Sequence, residues 1–492
     1  MSLAVIYTRA KSGINAPQVT VEVHLSNGLP SLSIVGLPET AVKESKDRVR
    51  SALLNSHFEF PARRITINLA PADLPKEGGR FDLPIALGIL AASGQLPTET
   101  LKDYEFIGEL ALSGELRPVD GILPSALACG KSRRKMLLPH ANGAEAALAS
   151  NTPIYAANHL LEVCAHLNRR EILPEQTLDL PLDTIPSADI NEVIGQHQAK
   201  RALEIAAAGA HNLLFSGPPG TGKTMLASRL PGILPPLDEA AALEVAAIYS
   251  VSRSAPRESF FERPFRAPHH TASSTSLVGG GSSPRPGEVS KAHHGVLFLD
   301  ELPEFSRKVL EVLREPLESG SILIARALAS VEYPANFMLI AAMNPCPCGY
   351  LGEQRCRCTP DQVNRYRDKI SGPLLDRIDL QVHVPRVPHQ ELTANSPLGE
   401  SSKNIRERVI TARGKQQVRQ SCANAQLSRQ QIDQFCQLNK SQLAIMNAAI
   451  ERMQLSARGF HRVLKVARTI ADIENSERIQ NQHLNEALAY RL

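Results

Sequence analysis

Residues 217–224 read GPPGTGKT, with the apolar run LLF before them and MLASRL after. The stretch fits G-x-x-x-x-G-K-[ST] through Gly217, Gly222, Lys223 and Thr224. Holding a polyphosphate requires these residue types. Glycine lets the backbone bend until successive N–H groups face phosphate oxygens, and the helix that starts next adds the positive end of its dipole. Lys223 places a point charge at the β- and γ-phosphates, and the Thr224 hydroxyl is a ligand for Mg²⁺. The expected ATP cradle is Gly217, Pro218, Pro219, Gly220, Thr221, Gly222, Lys223, Thr224 and Met225. A buried strand (212–216), a Gly-rich loop and a helix in succession are the unit of a parallel α/β sheet.

Working outward, the next acidic element is GVLFLDE at 295–301. Its four apolar residues predict a buried strand whose tip delivers Asp300 and Glu301 at the carboxyl edge of the sheet, where ligands of α/β folds bind. Asp300 is expected to hold Mg²⁺ through water, and Glu301 to polarise the attacking water. A further strand, 337–343, ends at Asn344, whose amide can orient that water; a helix or turn cap is the plainer alternative. In GPLLDRID, Arg377 could reach a neighbouring subunit's γ-phosphate, or simply pair with Asp376 or Asp379. In LSARGFHR, Arg458 and Arg462 lie one turn apart; either could lean over the phosphates, and Arg458 is the preferred one.

The chain has 492 residues, 43% hydrophobic and 21% charged, which is ordinary for globular protein and room for two to four domains. Aromatics are 4% and Trp is absent, so aromatic stacking is not the main way of gripping a ligand. Residues 401–492 hold 15 Lys/Arg against 7 Asp/Glu, a surplus of +8 against −4 elsewhere. Such a module suits a polyanion, or is a solvated helical surface. No apolar run reaches the ~18 residues of a membrane span, and the N-terminus lacks the features of a secretory leader. A cytoplasmic protein is expected, so its eight Cys are free thiols or metal ligands rather than disulfides.

Three segments follow. Residues 1–168 mix strand-like runs (4–7, 19–23, 64–69) with helical ones (40–54, 83–92), an α+β or α/β pattern. Residues 169–188 read as a linker, 189–385 as an α/β ATPase domain opened by a helix over 196–208, and 403–492 as a helical lid without a single Pro. Residues 346–358, CPCGYLGEQRCRC, carry Cys346, Cys348, Cys356 and Cys358. Four thiolates this close could bind Zn²⁺ tetrahedrally as a structural brace, or remain unlinked. Cys129, Cys164, Cys422 and Cys436 are scattered.

With these residues in view, the chain resembles the magnesium-chelatase-related AAA+ proteins of the ComM/YifB type. The most specific stretches are SIVGLPETAVKESKDRVRSAL (33–53), INLAPADLPKEGGRFDLPIAL (67–87), FRAPHHTASSTSLVGGG (265–281) and GPLLDRIDL (372–380). The resemblance implies a homo-hexameric ring with nucleotide at subunit interfaces, driving DNA branch migration during integration of transforming DNA. It implies that the insert 265–293 and the hairpin 322–337 face a pore and touch single-stranded or branched DNA without reading its sequence. Arg285 and Lys291, with His293 and His294, would act from the insert and Arg326 from the hairpin; uninvolved surface loops are the alternative. His269 and His270 read as positioning residues for the insert.

Residues 1–168 also resemble the peptidase-type fold of Lon proteases, through PKEGGRFDL (75–83) and GELALSGELRPVDGILPSALACG (108–130). Alignment puts Arg80 at the position of the Ser nucleophile and Leu123 at that of the Lys base, so the domain is expected to be non-proteolytic. Lys131, Arg133, Arg134 and Lys135 form a basic patch that suits DNA or a solvated turn. Two functions of other classes compete: a chelatase-like metal-insertion motor and a protein remodeller. The chain lacks the D-x-S-x-S motif of metal-ion-adhesion domains, and residues 270–297 lack an aromatic pore residue.

Overall fold

The computed structural model of the chain describes residues 2–37, 39–177, 188–252, 259–281, 284–325, 330–388 and 399–491. The LLF run forms the strand Leu213–Ser216, inside a five-stranded, wholly parallel sheet. Across this sheet the order is Phe265–Arg266, Val296–Leu299, Met338–Met343, Leu213–Ser216 and Leu380–His383. Strands covered on both faces need unbroken apolar runs. VLFL and MLIAAM supply them, and every residue of both strands is buried. Ser216 is level with Met343 and with His383, and Leu299 with Ala341. Gly217, Asp300 and Asn344 therefore leave the sheet at one edge.

The helix expected at 196–208 is His197–Gly209, and the loop runs directly into Lys223–Ile233. The C-terminal segment forms Ser402–Gln420, Arg429–Phe435, Lys440–Met453, Ala457–Ile473 and Asn481–Ala489. Ser401, Ser428, Asn439 and Ser456 start four of these by accepting a backbone N–H of the first turn. Val409, Val463, Ile470 and Leu484 share one apolar core with Phe215, Ile340 and Val382 of the sheet. Helices and sheet thus belong to the same packed unit.

By internal packing the chain divides into Met1–Leu182 with Leu243–Phe260, and Asp183–Ala242 with Phe261–Leu492. Residues 243–260, inside the segment assigned to the ATPase domain, therefore group with the first unit. There Ser250 accepts from the Gly121 N–H at 2.9 Å, and Leu243 and Ala246 pack on Ile122 and Leu123.

The first unit carries a mixed seven-stranded sheet in the order Ser31–Val35, Arg64–Ala70, Gln18–Ser26, Leu3–Arg9, Tyr104–Phe106, Lys135–Pro139 and Ile154–Ala157. The helix Asp82–Ala92 is buried at every residue, as its apolar sequence requires. The helical run 40–54 breaks into Thr40–Lys43 and Ser45–Asn55. The start of the expected linker is not free chain. Glu175 bridges Tyr155, and the Gln176 N–H donates to the Ile154 carbonyl at 2.8 Å, which adds these residues to the sheet edge. Residues 178–187 of that linker lie outside the described residues. Half of the basic patch is engaged locally: Arg134 lies 3.8 Å over the Tyr7 ring and 3.3 Å from Glu105, and Lys135 lies 5.5 Å over Tyr104.

Candidate nucleotide site

Lys223 is buried at the start of its helix, and its ammonium donates to three neutral oxygens. These are the carbonyls of Gly217 at 2.7 Å and Pro218 at 2.8 Å, and the amide oxygen of Asn344 at 3.3 Å. Burial pushes its pKa down, with Asp300 opposing. Next to Lys223 on the same helix, the Thr224 hydroxyl donates to the Asp300 carboxylate at 2.6 Å, and the other Asp300 oxygen accepts the Glu301 N–H at 2.9 Å. Gly220 and Gly222 have φ of +77° and +86°, and a Cβ at either would meet nothing within 4 Å. The loop is bent as a phosphate cradle must be, and the space over it is open.

These features fit a magnesium-bound triphosphate. The ammonium is left for a further anion because its partners are uncharged, and a hydroxyl beside a carboxylate is a hard-oxygen pair suited to Mg²⁺. Thr221 closes the loop by donating to the Pro218 carbonyl at 3.0 Å. Gln196 ties the loop to the next strand, donating to the carbonyls of Thr221 at 3.3 Å and Pro385 at 2.7 Å. Pro219 and Met225 flank the cradle, Met225 exposed.

Profile comparison matches residues 189–392 to "Magnesium chelatase, subunit ChlI", 21–142 to "Subunit ChlI of Mg-chelatase" and 399–491 to "Magnesium chelatase, subunit ChlI C-terminal". The competence protein ComM of Haemophilus influenzae is 52% identical over 497 residues, covering 100% of this chain and 98% of that protein. YifB of Salmonella typhimurium is 53% identical over 492 residues, covering 100% and 97%. The chain belongs to the ComM/YifB family of magnesium-chelatase-related AAA+ proteins. The Magnesium-chelatase 67 kDa subunit of Heliobacterium mobile is a more distant likeness, 28% identical over 251 residues, 44% of this chain and 35% of that one. The α/β fold with its parallel sheet is the AAA+ core of this family, preceded by an α+β domain.

Within that family frame, His270 stands out. Its Nδ1 lies 3.2 Å from the Glu301 carboxylate, while its ring packs tilted against His269 at 4.1 Å and meets the edge of Phe305 at 6.5 Å. The sequence offered the HH pair as positioning residues for the insert, but nothing in its spacing named Glu301 as the partner.

The candidate arginines lie away from this chain's own cradle. Arg377 comes just before Leu380, which is level with Leu213. It therefore sits at the amino edge of the sheet, a strand length of on the order of 13 Å from the Gly-rich loop. Arg377 is 7% exposed; its guanidinium pairs with Glu318 and donates to the Pro373 carbonyl at 2.7 Å. The alternative pairing with Asp376 or Asp379 is not formed. Arg458 is exposed and lies 3.8 Å from the same Glu318. Arg462 pairs with Asp379 and donates to the Arg377 carbonyl at 3.1 Å. Arg458 and Arg462, read as candidates to lean over the phosphates, thus lie within this chain at the opposite edge, where Ala457–Ile473 starts.

Asp379 also faces His211 at 3.4 Å, whose Nε2 shares a hydrogen bond with Thr469 Oγ1 at 2.7 Å. Burial alone would raise the Asp379 pKa, but Arg462 and His211 hold it well below the usual carboxylate range. Burial keeps His211 below the ordinary imidazole value.

The expected DNA cations divide. Arg285 is exposed on the short strand Arg285–Pro286. Lys291 is instead engaged, 3.3 Å from Glu288, which also holds Arg266 at 2.6 Å. His293 is buried and accepts the Asn336 N–H at 3.0 Å, so it is no pore cation. Arg326 lies outside the described residues, between the hairpin strands Ser321–Ala325 and Ser330–Pro334. Part of the C-terminal charge surplus is also spoken for, since Arg408 pairs with Glu204 and Glu400, and Arg419 and Arg468 with Asp472. Cys346, Cys348, Cys356 and Cys358 gather with all four sulfurs within 4.8 Å of one another and could hold a metal ion.

Proposed function

We propose that the chain hydrolyses ATP with Mg²⁺ and uses the cycle to move along DNA as a homo-hexameric ring. It would promote branch migration while incoming DNA is integrated in natural transformation, in the cytoplasm. The observation that carries the ATPase part is the convergence of Lys223, Thr224, Asp300 and Asn344, with Thr224 touching Asp300 at 2.6 Å. When bound, magnesium supplies charge neutralisation at the β- and γ-phosphate oxygens. Lys223 draws the phosphates into the cradle. Thr224 and Asp300 would hold the ion. Glu301 takes a proton from the attacking water, His270 fixes its carboxylate, and Asn344 orients the water.

Arg377 and Arg458 share one carboxylate, Glu318, at the edge away from the cradle. In a ring of identical copies that edge would meet a neighbour's phosphates, which gives Arg377 the role of a finger in trans and places Arg458 beside it. A full-length relative that bears the name competence protein supports the DNA part, as does exposed Arg285 on the insert. The first unit is read as a Lon-like scaffold without protease activity. Arg80, where a nucleophile would stand, is buried and donates to the carbonyls of Arg9 and Asp120, and Leu123 is buried too.

The test is the ATPase rate of the full chain with single-stranded, duplex and forked DNA, and with unfolded protein. Stimulation by DNA is expected. Stimulation by unfolded polypeptide and by no DNA would make the chain a protein remodeller instead.

A further inference from the structure

The cysteine loop begins two residues after Asn344, so the segment 344–349 touches the nucleotide cradle at both its ends. Asn344 accepts from Lys223 at 3.3 Å. Gly349, at φ +81°, packs so closely that a Cβ there would lie 2.7 Å from Pro219 Cδ and 3.8 Å from Asn344 Cγ. The same loop also grips the chain that leaves the last strand of the sheet. Glu353 lies 3.2 Å from Arg386, and Tyr350 lies under the guanidinium of Arg386 at 5.5 Å and of Arg355 at 4.1 Å.

Inside the loop the Cys346–Cys348 sulfur distance is 3.4 Å, Cys348–Cys356 3.7 Å and Cys346–Cys356 4.0 Å. A tetrahedron with Zn–S bonds of ~2.3 Å has edges of about 3.8 Å. The sulfurs thus stand at the spacing of a zinc shell, far beyond the ~2.05 Å of a disulfide. Cys346 is fully buried and the other three are half-buried, so the cluster is anchored at its first ligand. With no ion, the backbone of the loop between Asn344 and the helix Pro360–Arg367 would rest on three short turns, Gly349 N–H to Cys346, Glu353 N–H to Tyr350 and Cys356 N–H to Glu353.

We propose that Cys346, Cys348, Cys356 and Cys358 bind one Zn²⁺, and that this ion sets ATP affinity by holding Gly349 against Pro219 and Asn344 against Lys223. The coupling rests on the nucleotide assignment above; the metal site does not. Because the two sites share one loop, the effect is reciprocal: nucleotide tightens zinc by the factor by which zinc tightens nucleotide.

The experiment measures three quantities on the full chain. Zinc content per chain should be one in the native protein and near zero in Cys356→Ser/Cys358→Ser, with cobalt giving the sulfur charge-transfer absorption of a tetrathiolate site; a zinc-free native protein that takes up no cobalt overturns the site. Affinity for a fluorescent ATP analogue should fall on the order of tenfold on zinc removal by a chelator that spares magnesium, and return when zinc is restored. Zinc competition against that chelator should show tighter zinc with nucleotide present. If zinc is bound but neither affinity responds to the other ligand, the coupling is overturned. If the native zinc protein binds no nucleotide, the nucleotide assignment itself fails. Gly349→Ala guards against misfolding of the cysteine variant: it should keep its zinc and still lose nucleotide affinity, whereas unchanged affinity overturns the contact with Pro219.

Discussion

The two edges of the parallel sheet hold their charges in opposite ways. At the carboxyl edge, Lys223 is buried among neutral oxygens, and the carboxylate nearest to it by charge, Asp300, is bonded to Thr224 instead. At the amino edge, Asp379 is closed in by Arg462 and His211, and Arg377 by Glu318. The first arrangement leaves a charge for a ligand to complete; in the second, Asp379 is already neutralised within the fold, while Arg377 is held by the exposed Glu318. Buried charge is thus not by itself a mark of a site; what distinguishes one is the missing counter-charge.

Substitutions at the two edges should therefore fail differently. The largest effect on turnover is expected from Lys223→Ala, with ATP hydrolysis down on the order of a thousandfold and the melting temperature little changed, measured by phosphate release and calorimetry. Glu301→Gln should bind nucleotide and assemble, yet lose hydrolysis by on the order of a hundredfold. Asp379→Asn should do the reverse. Leaving half-buried Arg462 and buried His211 without their carboxylate should cost about 3 kcal/mol in denaturant unfolding, while nucleotide affinity of the folded fraction stays the same.

The amino edge also makes a statement about pH. A carboxylate held below its unfolded value of about 3.9 adds stability above that pH and loses it as the pH falls toward the folded value. The native chain should therefore lose stability below about pH 4 more steeply than Asp379→Asn, as read from unfolding midpoints across that range. His270→Ala should lower the maximal ATPase rate by about tenfold with little change in nucleotide affinity, since its contact in the cradle is Glu301. Smallest of all, Arg285→Ala should weaken DNA binding a few-fold and reduce the slope of log affinity against log salt by about 0.9.

The carboxyl edge was legible because its chemistry is written in contiguous stretches. LLFSGPPGTGKT, VLFLDE and AAMN each join an apolar strand to its functional tip, so finding the strand finds the residue. The amino edge was not, because its pairs are tertiary: Glu318 and Arg377 are 59 residues apart, and Asp379 and Arg462 are 83 apart. No local period links such residues, and Arg458 looked like a phosphate contact only because the docking of Ala457–Ile473 cannot be read from its own sequence. For the same reason Lys291 looked free beside Gly and Ser, when Glu288 one helical turn earlier claims it. His270 was noticed as half of a pair, but its partner Glu301 arrives from another strand tip.

The central claim is that one magnesium-bound triphosphate lies between Lys223 and Asp300. Its most direct measurement is equilibrium binding of a fluorescent ATP analogue, with and without Mg²⁺, to the native chain, Lys223→Ala and Asp300→Asn. The native chain should bind more tightly with magnesium, Asp300→Asn should lose that dependence, and Lys223→Ala should lose binding in both conditions. Equal magnesium dependence in the native chain and Asp300→Asn would contradict it.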